Sequence, residues 1–215
     1  MKGLVVTGGE APSRGALEPF LRGVELTVAA DSGLDSALEL GLTVDLVVGD
    51  MDSLLRREAL SAFPPSRVLR YDAAKDETDT EIGVRVLRER GCDEIVIAGG
   101  GGGRTDHLLG ILALFERARP PSAWVAGGFT AILLTGRNRL VARPGETLSF
   151  FALGEEVRVL SSSGLRWPLD GMCLGRASPS LSNEATSDTI GVDVGEGRLL
   201  MLKDAGDRDG GARKA

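Results

Sequence analysis

Through the first half of the chain, short unbroken apolar runs alternate with stretches whose apolar residues recur at helical spacing. Residues 4–7, 26–30, 46–48 and 95–98 are such runs, and 67–71 reads as a further strand. Between them, Ala16, Leu17, Phe20 and Leu21 share one helical face, and Leu34, Leu38 and Leu40 mark another that Gly41 closes. Residues 54–62 read as a helix broken by Pro64-Pro65. Thr78-Asp79-Thr80-Glu81 has capping-box spacing ahead of Ile82 and Val86, with Gly91 as the stop. Thr105 is placed to cap a helix carrying Leu108, Leu112 and Phe115, which ends before Pro120-Pro121. Apolar strands alternating with amphipathic helices predict a mostly parallel, doubly wound α/β sheet covered on both faces.

After about Ala126 the helical period disappears. Residues 131–134, 139–142, 147–151, 157–160, 189–194 and 198–202 read as short strands, with turn signals at Pro144-Gly145 and Gly195-Glu196-Gly197. The pattern predicts an α/β nucleotide-binding domain over 1–126 and an all-β sandwich domain over 127–203. Residues 204–215 are polar, charged and glycine-rich, and are expected to be disordered.

Composition narrows the function. A net charge of −6 over 215 residues argues against a nucleic-acid binder, which needs a basic face. Nucleotides remain compatible, because Mg²⁺ bridges acidic protein and anionic phosphate. The 30 glycines are about twice the usual share, as expected where backbone approaches phosphate closely or many turns are needed. Cys92 and Cys173 have no metal-ligand spacing. No apolar run reaches the roughly 20 residues of a membrane helix, and the N-terminus reads as a strand, so a cytoplasmic location is expected.

Candidate chemistry sits where strands should end. Gly49-Asp50-Met51-Asp52-Ser53, Lys75-Asp76-Glu77-Thr78-Asp79 and Gly103-Arg104-Thr105-Asp106-His107 all fall there. In α/β sheets these ends face the ligand crevice. Carboxylates converging there need cations between them, and an all-oxygen set with room for phosphates suits Mg²⁺. Asp50 and Asp52, on an extended backbone, would share a face. Helix capping by Asp52 or Ser53 accounts for one acid and leaves Asp50 over. Asp79 complements a helix dipole, yet Asp72, Asp76, Glu77, Asp79 and Glu81 together exceed what capping needs. Lys75 reads either as a surface lysine or as a phosphate contact.

Glycines at 99–103 ahead of Arg104 suit anion binding at a helix start, although neither a P-loop nor a dinucleotide fingerprint is present. His107 reads as a general base or a hydrogen-bonding residue. In the β-rich half, Trp167 reads as a core anchor or as a platform for a flat ring. Ser182 and Asn183 read as hydrogen-bond partners for such a ring or as a turn.

Taken in order, Ala30-Asp31-Ser32-Gly33, Val48-Gly49-Asp50-Met51-Asp52-Ser53, Lys75-Asp76-Glu77-Thr78-Asp79, Gly103-Arg104-Thr105-Asp106-His107, Ser163-Gly164-Leu165-Arg166-Trp167 and Leu181-Ser182-Asn183-Glu184 resemble the thiamine pyrophosphokinase family, from Leu4 to about Leu202. The resemblance implies diphosphate transfer from ATP to the hydroxyl of thiamine, giving thiamine diphosphate and AMP. It implies Mg²⁺ at Asp31, Asp50, Asp52 and Asp79, and a nucleotide and phosphate site drawing on Lys75, Thr78, Arg104, Asp106 and His107. Trp167, Ser182 and Asn183 would form the thiamine side, and the thiamine site would lie between the subunits of a homodimer. Either Asp31 or Asp79 would take the hydroxyl proton. The chain departs from the family's Asp-Gly-Gly-Ala-Asn at Ser32 and Asp35. A diphosphokinase for another hydroxymethyl heterocycle such as a pterin, or a non-catalytic nucleotide- or thiamine-diphosphate-binding regulator, are the competing expectations.

Overall fold

The apolar runs become strands because both of their faces are covered. Leu4, Val5, Val28, Ala29, Val47, Val48, Val96 and Ile97 are fully buried, as residues of a parallel sheet sandwiched between helices must be. The computed structural model describes residues 1–72 and 74–204, which form two compact units, Met1–Gly128 and Phe129–Asp204.

The first unit contains β1 (Lys2–Thr7), β2 (Val24–Ala30), β3 (Leu46–Gly49), β4 (Val68–Arg70), β5 (Glu94–Ala98) and β6 (Ala123–Val125). They pair in the order β6-β5-β1-β2-β3-β4, all parallel. Helices α1 (Arg14–Leu21), α2 (Gly33–Glu39), α3 (Asp79–Glu89) and α4 (Thr105–Leu114) connect them. Leu17 of α1 and Leu34 and Ala37 of α2 join Leu4, Val6, Ala29 and Val47 in one core. Alternate residues Val5 and Val28 meet α3, where a Cβ on Gly83 would stand 2.9 Å from Val5 Cγ1. Since β1 lies between β2 and β5, the winding reverses there. That reversal opens a crevice beyond the carboxyl ends of the strands.

Two expectations need correction here, and one strand has no counterpart in the sequence pattern. Residues 54–62 are not an α-helix. Only 3₁₀ turns form, at Arg57–Ala62 and Pro65–Arg67, and neither buries a side chain. The amides of Leu55 and Arg56 bond the Asp35 carboxylate instead of entering a helix. The strand Ala123–Val125 escapes the pattern because it is short and directly follows Pro120-Pro121 and Ser122. Helix α4 has Arg104 at its N-cap with no side-chain cap bond, so Thr105 is its first residue. It buries Ile111 and Leu114, followed by Phe115, while Leu108 and Leu112 stay half-buried.

The second unit is antiparallel: β7 (Phe129–Val141), β8 (Thr147–Ser163), β10 (Ser180–Glu184) and β11 (Thr189–Asp204) pair in the order β10-β8-β11-β7, and β9 (Cys173–Gly175) adds to β8. The six short strands expected here are three long ones, each interrupted by a glycine at positive φ: Gly136 (57°), Gly154 (86°) and Gly197 (86°). Pro144-Gly145 is a true turn between β7 and β8. Gly195-Glu196-Gly197 instead shifts the β11 register between Val194 and Leu199, as a bulge does. Phe150, Val157, Val159, Ile190, Val192, Leu199 and Met201 build this unit's own core. Asp204 closes β11, and the remainder of the expected tail lies outside the described residues. Among the described residues no helix is long and apolar enough to cross a membrane.

Candidate active site

Successive strand ends deliver the polar groups to one crevice of about 410 Å³ in the first unit. Thr7 ends β1, and Gly8 and Gly9 follow it; Asp31 and Ser32 follow β2; Asp52 and Ser53 follow β3. Thr78 and Asp79 open α3, and residues 100–104 follow β5, with His107 in the first turn of α4. The amides of Gly99 and Gly100 bond Val125 O (2.9 Å) and Gly8 O (2.8 Å), which anchors the glycine loop. A Cβ on Gly99 would meet Thr7 O at 2.2 Å, so only glycine fits. No motif marks Thr7 and Gly8 as site residues; their signal in the sequence is Thr7-Gly8-Gly9 closing a buried strand.

Asp31, Asp50 and Asp79 converge, each offering a carboxylate oxygen within 4.8 Å of the other two. That set is able to hold a metal ion. Asp31 is buried and takes a left-handed φ of 46°, a conformation costly for a residue with a Cβ and characteristic of functional positions. Its amide donates to Val48 O at 2.8 Å, and its Oδ1 is buried with no hydrogen-bond partner among the described residues. Burial raises its pKa above the ordinary carboxylate value; the Ser32 amide and Ser53 hydroxyl oppose this, and the charges of Asp79 and Asp50 reinforce it. Gly49 permits the convergence. Its φ is 132°, and a Cβ there would stand 3.0 Å from Asp79 Oδ1 and 3.2 Å from Asp31 Cβ.

Asp50 and Asp52 do not lie on an extended backbone. Met51 between them has φ 65° and its side chain is sunk in the core. The Asp52 amide donates to Asp50 Oδ1 (3.2 Å), forming a local turn. Asp52 is exposed, accepts from Ser53 Oγ (2.7 Å) and lines the crevice beside the three converging acids.

The dense acids of 72–81 separate by partner. Asp72 accepts from the Ala74 amide (2.9 Å), and Glu77 takes a forked bond from Arg85, whose guanidinium also lies over the Tyr71 ring. Glu81 completes the capping box with Thr78 and pairs with Arg117. Burial alone would raise the Glu81 pKa, but the bonds from Thr78 and Arg117 bring it below the ordinary value. Of these acids, Asp79 is the one that lines the crevice. Its Oδ1 has no aligned hydrogen bond but lies 2.9 Å from Lys75 Nζ. Lys75 is largely buried; burial would lower its pKa, and the bond to Asp79 with the charges of Asp79, Asp50 and Asp31 raises it above the ordinary value. Lys75 is thus a cation on the converging acids.

At the crevice mouth Arg104 forks onto Asp106, with Nε–Oδ1 3.2 Å and Nη2–Oδ2 2.5 Å. This bond is the main reason the Asp106 pKa falls to about 2. Arg104 and His107 line the crevice, whereas Asp106 serves as the partner of Arg104.

In the second unit, Trp167 is 53% exposed, with the Arg166 guanidinium 5.1 Å from its ring centre. Arg166 is held in turn by Glu184 (3.1 Å). Asn183 is only 1% exposed and spends its amide on backbone: Oδ1 accepts from Trp167 N (3.2 Å) and Glu184 N (2.8 Å), while Nδ2 donates to Trp167 O (2.7 Å). It fixes the segment between β8 and β9 that presents the indole. Ser182 is exposed at φ 55°. Asn183→Ala leaves three backbone groups without partners and is expected to lower stability by about 3 kcal/mol. Denaturant unfolding checks this, and a loss below about 0.5 kcal/mol would contradict the bracket role.

Residues 17–125, within the first unit, match the thiamin pyrophosphokinase catalytic domain, and residues 137–199, within the second, match the thiamin pyrophosphokinase vitamin B1 binding domain. The chain belongs to the thiamin pyrophosphokinase family. A thiamine pyrophosphokinase of Bacillus subtilis (strain 168) is 28% identical over 193 residues, covering 83% of this chain and 86% of that protein. The crystal structure of a thiamin pyrophosphokinase from Geobacillus thermodenitrificans superposes with a TM-score of 0.74 at 26% identity, covering 98% of this chain and 99% of that one. The Bacillus subtilis thiamine pyrophosphokinase structure gives a TM-score of 0.79 at 22% identity, covering 95% and 99%. The yeast thiamin pyrophosphokinase, at 15% identity, shares the fold with a TM-score of 0.66, covering 94% of this chain and 86% of that one.

Against the thiamin pyrophosphokinase pattern, the two departures have structural explanations. Ser32 lines the crevice, and its Oγ lies 2.2 Å from where a Cβ on Gly8 would stand, so it fills space above a residue that has no side chain. Asp35 is buried and faces away from the crevice, bonded to backbone amides.

Proposed function

We propose that Asp31, Asp50 and Asp79 form the centre at which this chain transfers diphosphate from ATP to the hydroxyl of thiamine. The overall reaction, giving thiamine diphosphate and AMP, follows from membership of the thiamin pyrophosphokinase family, and the chain is accordingly an enzyme. The observation carrying the site assignment is the convergence of three carboxylates at the winding reversal of the sheet.

The donor set fits Mg²⁺: it is all-oxygen, and the buried Asp31 Oδ1 has no hydrogen-bond partner among the described residues. Asp31, Asp50 and Asp79 would hold the ion, with Asp52 beside them as a further ligand. When bound, Mg²⁺ supplies charge stabilisation on the transferring phosphates. The remaining work belongs to the chain. Lys75 balances Asp79 and offers an ammonium to phosphate oxygens. The glycine loop at 99–103 and the start of α4 present backbone N–H groups to an anion, with Thr78 and His107 along the wall. Arg104 exchanges Asp106 for phosphate oxygens, which its planar fork matches. In the second unit, read as a β-sandwich, the half-exposed Trp167 ring and the Ser182 hydroxyl receive the heteroaromatic acceptor, and Asn183 acts through Trp167. The chain would work as a homodimer.

An assay of AMP release with magnesium, ATP and thiamine tests this reading, with thiamine omitted as the control. AMP formation dependent on both thiamine and magnesium is expected. Transfer that persists after chelation of divalent ions would overturn the metal assignment.

A further inference from the structure

Asp35 lies outside the crevice, yet it is a buried carboxylate in the first turn of α2, four residues beyond Asp31. Its Oδ2 accepts the Leu55 amide at 2.9 Å and its Oδ1 the Arg56 amide at 3.1 Å. Both amides lie just beyond the Asp50–Ser53 loop, so one side chain ties that loop to the helix that begins beside Asp31. Two further bonds support the tie: Arg56 Nη2 to Glu39 Oε1 of α2 (2.9 Å) and Arg57 Nη2 to Asp52 O (2.7 Å).

The loop needs such a restraint. Gly49 and Met51 both carry positive φ, and between Leu54 and β4 the chain packs on the core only through the partly buried Ala59, Leu60 and Phe63, so a polar tie adds to what packing fixes. We infer that Asp35 is a positioning residue: by clamping the Leu55 and Arg56 amides it sets the register of the loop, so that Asp50 meets Asp31 and Asp79 and the Asp52 amide bonds Asp50 Oδ1. A carboxylate suits this task because each of its two oxygens accepts one of two adjacent N–H groups. The metal consequence rests on the proposed metal reading of the three acids; the positional consequence does not.

The test uses the full chain and three variants: Asp35→Ala, Asp45→Ala and Asp79→Asn. Asp45 is the matched control. It accepts the Thr27 amide (2.8 Å) at the opposite, amino-terminal edge of the sheet and takes no part in the crevice. Amide hydrogen exchange measured by NMR at Asp52 reports whether its bond to Asp50 survives. Asp35→Ala is expected to speed that exchange and to weaken Mn²⁺ binding by about tenfold or more, the usual effect of losing a group that orients ligands. Asp45→Ala is expected to do neither. Unchanged exchange at Asp52 in Asp35→Ala, or equal changes in Asp45→Ala, would overturn the inference. If the unaltered chain and Asp79→Asn bind Mn²⁺ alike, the metal reading fails, while exchange at Asp52 still decides the positional role.

Discussion

Exchanging Asp79 for Asn is expected to lower thiamine-dependent AMP release by about 10²–10³-fold, the scale of removing several kcal/mol of charge stabilisation from a phosphate-transferring site. The substitution keeps the shape of the side chain and removes its charge. Two of the three converging acids then remain, and the Lys75 ammonium loses its 2.9 Å partner. The residual site is worse for a divalent cation in two ways, with one anionic ligand fewer and an ammonium no longer neutralised. Helix α3 should survive, because its start is secured by the Thr78–Glu81 capping box and not by Asp79. Steady-state AMP release beside a circular dichroism melt separates the effects. Turnover within about threefold of the unaltered chain would remove Asp79 from the reaction centre.

Gly49→Ala should strain the backbone and crowd the acids together. At φ 132° the backbone is in a region that side chains rarely enter, and the added Cβ would press on Asp79 Oδ1 and Asp31 Cβ. Strain of this kind is worth about 3 kcal/mol, or a fall of roughly 6–12 °C in Tm for a chain of this size. Relief by local movement would push the acids apart, so Mn²⁺ affinity should fall together with stability. Gly41→Ala is the comparison: its φ of 64° is also positive, but nothing lies within 4 Å of the added Cβ, so it should cost only about 1 kcal/mol. Equal melting temperatures for the two variants would show that crowding among the acids is not what glycine relieves.

The parallel strands and α3 were legible in the sequence because their signals are local. Buried apolar runs cannot form amphipathic helices, and Thr78 with Glu81 states where a helix begins. The acids at strand ends were legible because the sheet's connectivity brings those ends together. Features set by contacts distant in sequence were not. Asp35 meets amides 20 and 21 residues away, and nothing near it announces that it will keep residues 54–62 from becoming a helix. Asn183 reads as a possible ligand contact until its bonds to Trp167, 16 residues earlier, occupy its amide. In the second unit, glycine stands for a turn in sequence, yet Gly136, Gly154 and Gly197 interrupt strands without ending them. The ladder of a neighbouring strand makes that difference, and a local pattern does not contain it.

The contrasting surroundings of Trp124 and Trp167 give the chain an optical asymmetry. Trp124 is 2% exposed, with its Nε1 donating to Gly99 O at 2.7 Å, whereas Trp167 stands in water beneath a guanidinium. Ultraviolet emission from the first is expected to be shielded from iodide, and emission from the second open to it. Any flat molecule settling on the outer indole therefore changes the quenchable part of the fluorescence and leaves a constant background, a label-free titration signal that needs no engineered probe.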